Sequence, residues 1–153
     1  RWDAGLMQIW VDADACPTVI RELLIKASQR TLVPLTFVAN QPISVPSNAH
    51  ITSLQVSAGF DVADDEIVKR CNANDLIITD DIPLAAEILA KDGLAVNFRG
   101  QAYDKATIKA TLTMRDFMDQ IRASGERTGG PKSFTAKDKM NFANQIDRIL
   151  AGR

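Results

Sequence analysis

The sequence predicts a three-layer α/β/α domain with a mainly parallel five-stranded sheet, followed by a helical carboxyl-terminal part. Between residues 7 and 98, short apolar runs alternate with helical patterns, which is typical of a parallel sheet covered by helices. The strand patterns are continuously apolar, as expected for strands buried on both faces. A length of 153 residues with 46% hydrophobic residues suits one domain with one sizeable core.

The predicted elements follow one another in a regular order. Strands are predicted over residues 7–12, 33–39, 51–56, 76–79 and 94–98, and helices from Pro17, from Asp61 and from Pro83. From Tyr103 onward the pattern is helical, most clearly over residues 114–123 and 135–150. We therefore predict a single domain from Met7 to Leu150, and residues 1–6 as an upstream extension or a remnant of cloning.

The composition excludes several classes of protein. No window approaches the roughly 18–20 consecutive apolar residues of a membrane span, so we expect a cytoplasmic protein with no membrane partner. Cys16 and Cys71 are too few for a disulfide framework or a structural zinc site, and we expect reduced thiols. His50 is the only histidine, which argues against His-based zinc hydrolysis and a Ser-His-Asp triad.

Charge is distributed unevenly along the chain. Residues 1–98 contain 7 Lys and Arg against 13 Asp and Glu, a net charge of −6, whereas residues 99–153 contain 11 against 6, a net charge of +5. Such asymmetry indicates either a polyanionic partner or ordinary solvated surfaces that differ in sign. An acidic centre beside a basic segment suits phosphate chemistry.

Acidic residues follow two of the predicted strands. Asp12 and Asp14 leave the first strand two residues apart, so in an extended backbone their side chains would point the same way. Asp80 and Asp81 follow the fourth strand and precede a helix that starts at a proline. Each pair has a simpler interpretation as a helix cap, although capping explains the recurrence less well.

A third acidic group lies in the first turn of the helix predicted after Gly59, and within it we favour Asp64 as a ligand. Acids in a first turn also stabilise the helix dipole, which is the alternative interpretation. Carboxylates of this kind suit Mg²⁺ or Mn²⁺, which prefer oxygen ligands. The proposed catalytic residues are therefore Asp12, Asp14, Asp64 and Asp81, and the proposed metal ligands are Asp12, Asp64, Asp80 and Asp81. The corresponding reaction is hydrolytic phosphoryl transfer.

Several other residues are candidates for contact with phosphate. Asn40 follows the second strand, and Arg99 follows the fifth. A glycine-bearing loop with two cations could expose backbone amides to an anion, and its candidates are Arg127, Thr128, Gly129, Gly130 and Lys132. The alternatives are a turn at Asn40, a surface cation at Arg99 and a simple interhelix linker. Cys16 is interpreted as buried packing rather than as a nucleophile.

Ordered motifs along the chain resemble the YaiI/YqxD family of bacterial proteins. They are VDADACP, VANQ, AGFDVAD, IITDDIPLA, the Arg-Gly pair at Arg99, LTMRDFM and RTGGP, spread from Met7 to about Leu150. This family is usually placed near the PIN-like nucleases, so the resemblance implies a PIN-like fold with acids gathered around Mg²⁺ or Mn²⁺. It would make Asp12 the acid that ends the first strand, Asp64 the helical acid and Asp81 the acid of T-x-D.

The resemblance has one departure, and two other functions compete with it. PIN enzymes often carry a further acid just beyond T-x-D, where this chain has residues 82–85 (IPLA). The leading hypothesis is a metal-dependent nuclease acting on nucleic acid, with RNA preferred. A non-catalytic module that binds RNA or protein through its basic helices is one alternative. A phosphatase of the haloacid dehalogenase type, with Asp12 as nucleophile, is the other, although Lys69 is the only obvious lysine before the late acids.

Overall fold

A parallel sheet of five strands forms the centre of the protein. The computed structural model describes residues 7–59, 61–123 and 133–152. The strands are β1 (Ile9–Asp12), β2 (Leu35–Ala39), β3 (Ile51–Gln55), β4 (Leu76–Ile78) and β5 (Leu94–Val96). They lie in the order β3-β2-β1-β4-β5, and every neighbouring pair is parallel. The predicted sheet is confirmed, with strands one or two residues shorter than the apolar runs.

Helices cover both faces of this sheet. They are α1 (Thr18–Thr31), α2 (Val62–Arg70), α3 (Ile82–Ala90), α4 (Ile108–Ala123) and α5 (Ala136–Ala151). The first strand-to-strand connection contains α1, while β2 and β3 are joined without a helix. The predicted three-layer α/β/α class with a helical carboxyl-terminal part is confirmed. None of the helices in the described ranges is long and apolar enough to cross a bilayer.

The two faces of β1 build two separate layers of the core. Ile9 and Val11 pack on one face with α1 and α5, where Ile20, Leu24 and Phe142 are fully buried. Trp10 lies on the other face with α2 and α3, against Ile67 and Ile88 among others. Because alternate side chains of a strand point to opposite faces, Asp12 follows Trp10 toward the α2 and α3 layer.

The strand order places a topological switch point beside β1. The chain moves outward from β1 through β2 to β3, and then returns to the opposite side of β1 to form β4. The connection from β1 to β2 and the connection from β3 to β4 run in opposite directions along the sheet and place α1 and α2 on opposite faces. This arrangement opens a crevice at the carboxyl ends of the strands. The residues that follow β1 and β4 therefore border this crevice.

Gly100 allows α5 to lie against the segment that follows β5. Its φ is +86°, and a Cβ atom added there would lie 2.6 Å from backbone atoms of Asn141 and Phe142. Only glycine tolerates both the left-handed backbone and so close an approach. This contact places the beginning of α5 beside Arg99, immediately before the glycine.

Candidate functional site

An acidic cleft of about 280 Å³ opens at the carboxyl edge of the sheet. Five carboxylates line it, and they belong to Asp12, Asp14, Asp61, Asp64 and Asp81. Asn40 lies beside them. The lining contains no Lys, Arg, His or Cys among the residues that the structure describes. The cleft therefore concentrates negative potential, which attracts cations and repels an unaccompanied phosphate.

Asp12 ends the central strand and is half-buried. Its Oδ2 accepts a hydrogen bond of 2.8 Å from the hydroxyl of Thr79, the residue after β4. Burial raises the pKa of Asp12, the Thr79 hydrogen bond opposes that rise, and the nearby Asp81 and Asp14 carboxylates add to it. Neither Asp12 nor Asp14 caps α1, because Pro17 precedes this helix without any side-chain cap.

Asp81 has two roles in the structure. Its Oδ1 accepts the backbone N–H of Leu84 at 2.9 Å, so Asp81 caps α3. From the sequence, this cap is the simpler interpretation of the residue. Its own backbone N–H donates to the Thr79 hydroxyl at 2.9 Å. Asp81 also lines the acidic cleft, so this residue both caps α3 and borders the cleft.

Asp64 lies in the first turn of α2 and reaches the same cleft. Desolvation, then the negative charges of Asp81 and Asp12, raise the pKa of Asp64 to about 7. A hydrogen bond with the Asp81 side chain further favours the protonated form. Asp65 is exposed and does not line the cleft, whereas Asp61, just before the helix, does, and the choice of Asp64 as a ligand stays a prediction.

Asp14 connects the ends of two neighbouring strands. The backbone turns after β1 instead of staying extended, and both oxygens of Asp14 accept the N–H of Asn40, at 3.0 and 3.2 Å. From the sequence, we expect the Asp12 and Asp14 side chains to point the same way on an extended backbone. The turn removes the basis for that expectation. Both side chains nevertheless border the acidic cleft, and Asn40 takes part in a turn-like contact.

The carboxylates of the acidic cleft lie near one another without forming a closed metal cage. Within the described ranges, no three His, Cys, Asp or Glu side chains are arranged to hold a metal ion together. The donors are nevertheless hard oxygen atoms, and no cation of the described lining offsets their charge. Oxygen donors of this kind suit Mg²⁺ or Mn²⁺, and Mg²⁺ is usually held by one or two carboxylates with waters and substrate phosphate.

Asp80 and Arg99 lie in a different place from the other candidates. Both border a second cavity of about 370 Å³, here called the side cleft, between the end of β5 and the beginning of α4. Asp80 Oδ1 accepts the backbone N–H of Phe98 at 2.9 Å, which ties the end of β4 to that of β5. The Arg99 guanidinium forms an ion pair with Asp138 and donates to the carbonyl of Ser133.

Other sequence candidates are placed as follows. Cys16 is buried, and burial raises the pKa of its thiol to about 12, which agrees with a packing role. His50 immediately precedes β3 and therefore lies at the opposite edge of the sheet from the acidic cleft. The glycine-bearing loop with Arg127, Thr128, Gly129, Gly130 and Lys132 falls outside the described residues, so its proposed phosphate contact stays a prediction.

Two residues of the site were not singled out from the sequence. Thr79 is fully buried and binds both Asp12 and Asp81. Its position directly before the two acids in the run Ile-Thr-Asp-Asp is the sequence feature that could have indicated this role. Tyr103 donates its hydroxyl to the Thr79 carbonyl at 3.2 Å. Burial, followed by the charges of Asp80 and Asp81, raises the pKa of the Tyr103 phenol, which therefore stays protonated. No sequence pattern pointed to that contact.

Fold and site together define an α/β protein with an acidic cleft at the switch point of a parallel sheet. Residues 10–152 match the family described as "Uncharacterized BCR, YaiI/YqxD family". The chain belongs to this family.

Relatives with the family label UPF0178 cover nearly the whole chain. A UPF0178 protein of Thioalkalivibrio sulfidiphilus is 63% identical, over 96% of this chain and 100% of that protein. UPF0178 proteins of Vibrio cholerae and Klebsiella pneumoniae are 60% and 58% identical. These two alignments cover 96% and 94% of this chain, and 99% and 95% of the respective relatives. No solved structure matches the chain significantly.

Proposed function

We propose that this protein is a nuclease that hydrolyses phosphodiester bonds with the help of Mg²⁺ or Mn²⁺ bound in the acidic cleft. One observation carries the proposal. Asp12, Asp64 and Asp81 come from three separate parts of the chain, and all three line one cleft at the switch point of the sheet. Ligand sites of open α/β sheets occur at this position.

The electrostatics of the cleft support a bound cation. Burial and mutual repulsion raise the pKa of Asp12 and of Asp64, so the unliganded cleft resists full ionisation. A structural capping role for Asp81 explains one of these carboxylates, but it explains neither Asp12 nor Asp64. A cation would offset the repulsion among all of them.

The residues have separable roles in this proposal. Asp12, Asp64 and Asp81 would hold the cation, directly or through its bound waters, with Thr79 keeping Asp12 oriented through its hydroxyl. A bound divalent cation supplies a more acidic water and neutralises charge on the phosphate. Asp14 and Asn40 hold the ends of β1 and β2 together at the rim of the cleft. In the reaction, water adds to phosphorus, the bond to the leaving oxygen breaks, and that oxygen is protonated.

Nucleic acid, with RNA preferred, is the proposed substrate, and the charge distribution supports a polyanion. The acidic cleft lies in the half with a net charge of −6, and the remaining half has a net charge of +5. Arg99 can contact phosphate only in competition with Asp138, so we assign it a secondary part. Phosphate positioning by the loop at residues 127–132 remains part of this proposal.

The test is a titration of Mg²⁺ and Mn²⁺ with single-stranded RNA and single-stranded DNA as substrates. Wild type is compared with Asp12→Asn and Asp64→Asn, and Asp65→Asn serves as a matched control, since Asp65 is adjacent but exposed. We expect metal-dependent cleavage by wild type and the control, and a loss of about 10²-fold or more in the two cleft variants. Absence of both manganese binding and cleavage, or normal cutting by both cleft variants, contradicts the proposal.

The two alternatives give different results in the same assays. A non-catalytic binding module would bind RNA with strong salt dependence and keep that binding in Asp12→Asn. A phosphatase of the haloacid dehalogenase type would form a trappable phosphate adduct on Asp12. Lys69 is exposed, and it does not line the acidic cleft.

A further inference from the structure

We propose that the side cleft is a subsite for the nucleoside next to the phosphate held in the acidic cleft. It favours a base with an exocyclic amino group. The identity of this ligand rests on the proposed nuclease function. The location of the subsite rests on the side cleft itself.

The two clefts are adjacent along one short segment of backbone. Asp80 lines the side cleft and Asp81, the next residue, lines the acidic cleft. Consecutive Cα atoms across a trans peptide are about 3.8 Å apart. In this proposal, a nucleotide whose phosphate binds on the Asp81 side extends its nucleoside toward the Asp80 side.

The size and lining of the side cleft suit a nucleoside. Its volume of about 370 Å³ lies at the small end of the roughly 300–1,000 Å³ that is common for small-molecule sites. Ile82, Ile108 and the Tyr103 ring supply apolar and aromatic surface, on which a base can stack. Asn97 and Gln101 supply side-chain amides, and their hydrogen bond of 3.0 Å orients one against the other.

The charges of the side cleft favour an amino edge over a phosphate. Asp80 and Asp104 both line it, and each uses Oδ1 to accept a backbone N–H. A carboxylate has two oxygens with several lone pairs, so each can accept a further donor. Arg99, the cation in this lining, forms an ion pair with Asp138. A carboxylate that accepts from the amino group of cytosine is an established mode of base recognition.

Tyr103 provides a site-specific probe of this subsite. It is the only tyrosine of the chain and lines the side cleft. Its hydroxyl donates to the carbonyl of Thr79, the residue whose side chain binds Asp12 and Asp81, so one end of the ring has a defined position. Ring-labelled tyrosine in the full chain would therefore give NMR signals from this residue alone.

The experiment is a titration of the labelled protein with cytidine and with uridine, without added metal. These probes have no phosphate, so repulsion from the acidic cleft does not interfere. We expect a saturable shift of the Tyr103 signals by cytidine at roughly millimolar concentrations, and about tenfold weaker binding of uridine. Equal binding of the two nucleosides overturns the amino-edge preference. Absence of a saturable shift with either overturns the subsite.

Two threonines of α4 offer a matched pair of variants. The hydroxyls of Thr111 and Thr113 each donate to the carbonyl four residues earlier, but only Thr111 lines the side cleft. Thr111→Phe should fill the cleft and abolish the cytidine shift, whereas Thr113→Phe should keep it. A shift that persists in a folded Thr111→Phe variant contradicts the proposal. Gln101→Leu, at an exposed lining residue, provides a second test and should weaken cytidine binding.

The outcomes separate this inference from the proposed function. Cytidine binding should survive in Asp12→Asn, because Asp12 lines the other cleft. Binding of cytidine by a protein that never cleaves nucleic acid would contradict the nuclease function and support the subsite. Cleavage without any effect of nucleosides on Tyr103 would support the nuclease and overturn the subsite.

Discussion

The Thr79 hydroxyl donates a 2.8 Å hydrogen bond to Oδ2 of Asp12, a residue 67 positions earlier in the chain, and so joins the ends of two adjacent strands. The same hydroxyl oxygen accepts the backbone N–H of Asp81. One buried side chain therefore fixes the position of two carboxylate-bearing residues of the acidic cleft.

Thr79→Val should lower stability and disturb the acidic cleft together. The change keeps the shape of the side chain but leaves Asp12 and the Asp81 N–H without their partner, at a cost of about 1–3 kcal/mol. Chemical denaturation of the two proteins measures the difference. Thr79→Ser keeps the hydroxyl and should restore most of the Asp12 contact. Equal stability of Thr79→Val and wild type would show that these bonds contribute little.

Asp64→Asn should make stability less sensitive to pH between about 4 and 7. The pKa of Asp64 is raised from 3.8 to about 7, so the folded state binds this proton more tightly than the unfolded state. Its stabilising contribution is complete below the unfolded pKa, and is lost as pH rises through the folded pKa.

The increase in stability of Asp64→Asn over wild type should therefore be largest at alkaline pH, where Asp64 is charged. Asp64 is partly exposed, so solvent screening reduces the effect to about 1 kcal/mol, or roughly 2–4 °C in Tm at pH 8. Thermal unfolding at pH 5 and pH 8 measures this, with Asp65→Asn as the control. If the two variants have the same pH profile, burial and repulsion do not act on Asp64 as described.

Mn²⁺ or Mg²⁺ should raise the Tm of wild type more at pH 8 than at pH 5. Protons compete with the cation for Asp12 and Asp64, because the pKa of each is raised. At 100-fold excess over its dissociation constant, the cation should stabilise the protein by about 2.7 kcal/mol. The Tm measured with Mn²⁺ or Mg²⁺ is compared with the Tm measured with Ca²⁺ and with a chelator. A shift of the same size in Asp12→Asn would place the bound cation elsewhere.

Asp81→Asn and Asp81→Ala should separate capping from charge. Asparagine keeps an oxygen that can accept from the Leu84 N–H, so its variant should retain stability but lose metal affinity. Alanine removes the cap as well, which costs about 1 kcal/mol. Denaturation and metal titration of both variants measure the two effects. Unchanged metal binding in Asp81→Asn would exclude Asp81 as a ligand.

The fold was largely predictable because its signals are local. Continuous apolar runs and prolines at helix starts gave the elements in order, and Pro83 indeed lies in the first turn of α3. Strand order was not predictable, since each apolar run could pair with any other. The placement of β4 beside β1 depends on packing across the whole sheet.

The acidic site was only partly predictable. The sequence indicated that Asp12 and Asp81 follow buried strands, and parallel strands bring such residues to one edge. The sequence could not show that Asp80 and Asp81 border different clefts, because the two residues are adjacent and both follow the same strand. The Tyr103 contact with Thr79 was also beyond prediction, since it depends on how the segment after β5 returns across the sheet.

The cap that Asp81 provides for α3 has a consequence for any mutational dissection of this protein. A substitution that removes both the helix cap and the carboxylate, such as Asp81→Ala, gives a mixed phenotype, in which impaired chemistry and local unwinding appear together. Asp64 has no capping bond to lose, as α2 begins without a side-chain cap at Asp61. Variants of Asp64 therefore report on the chemistry of the cleft more cleanly than variants of Asp81.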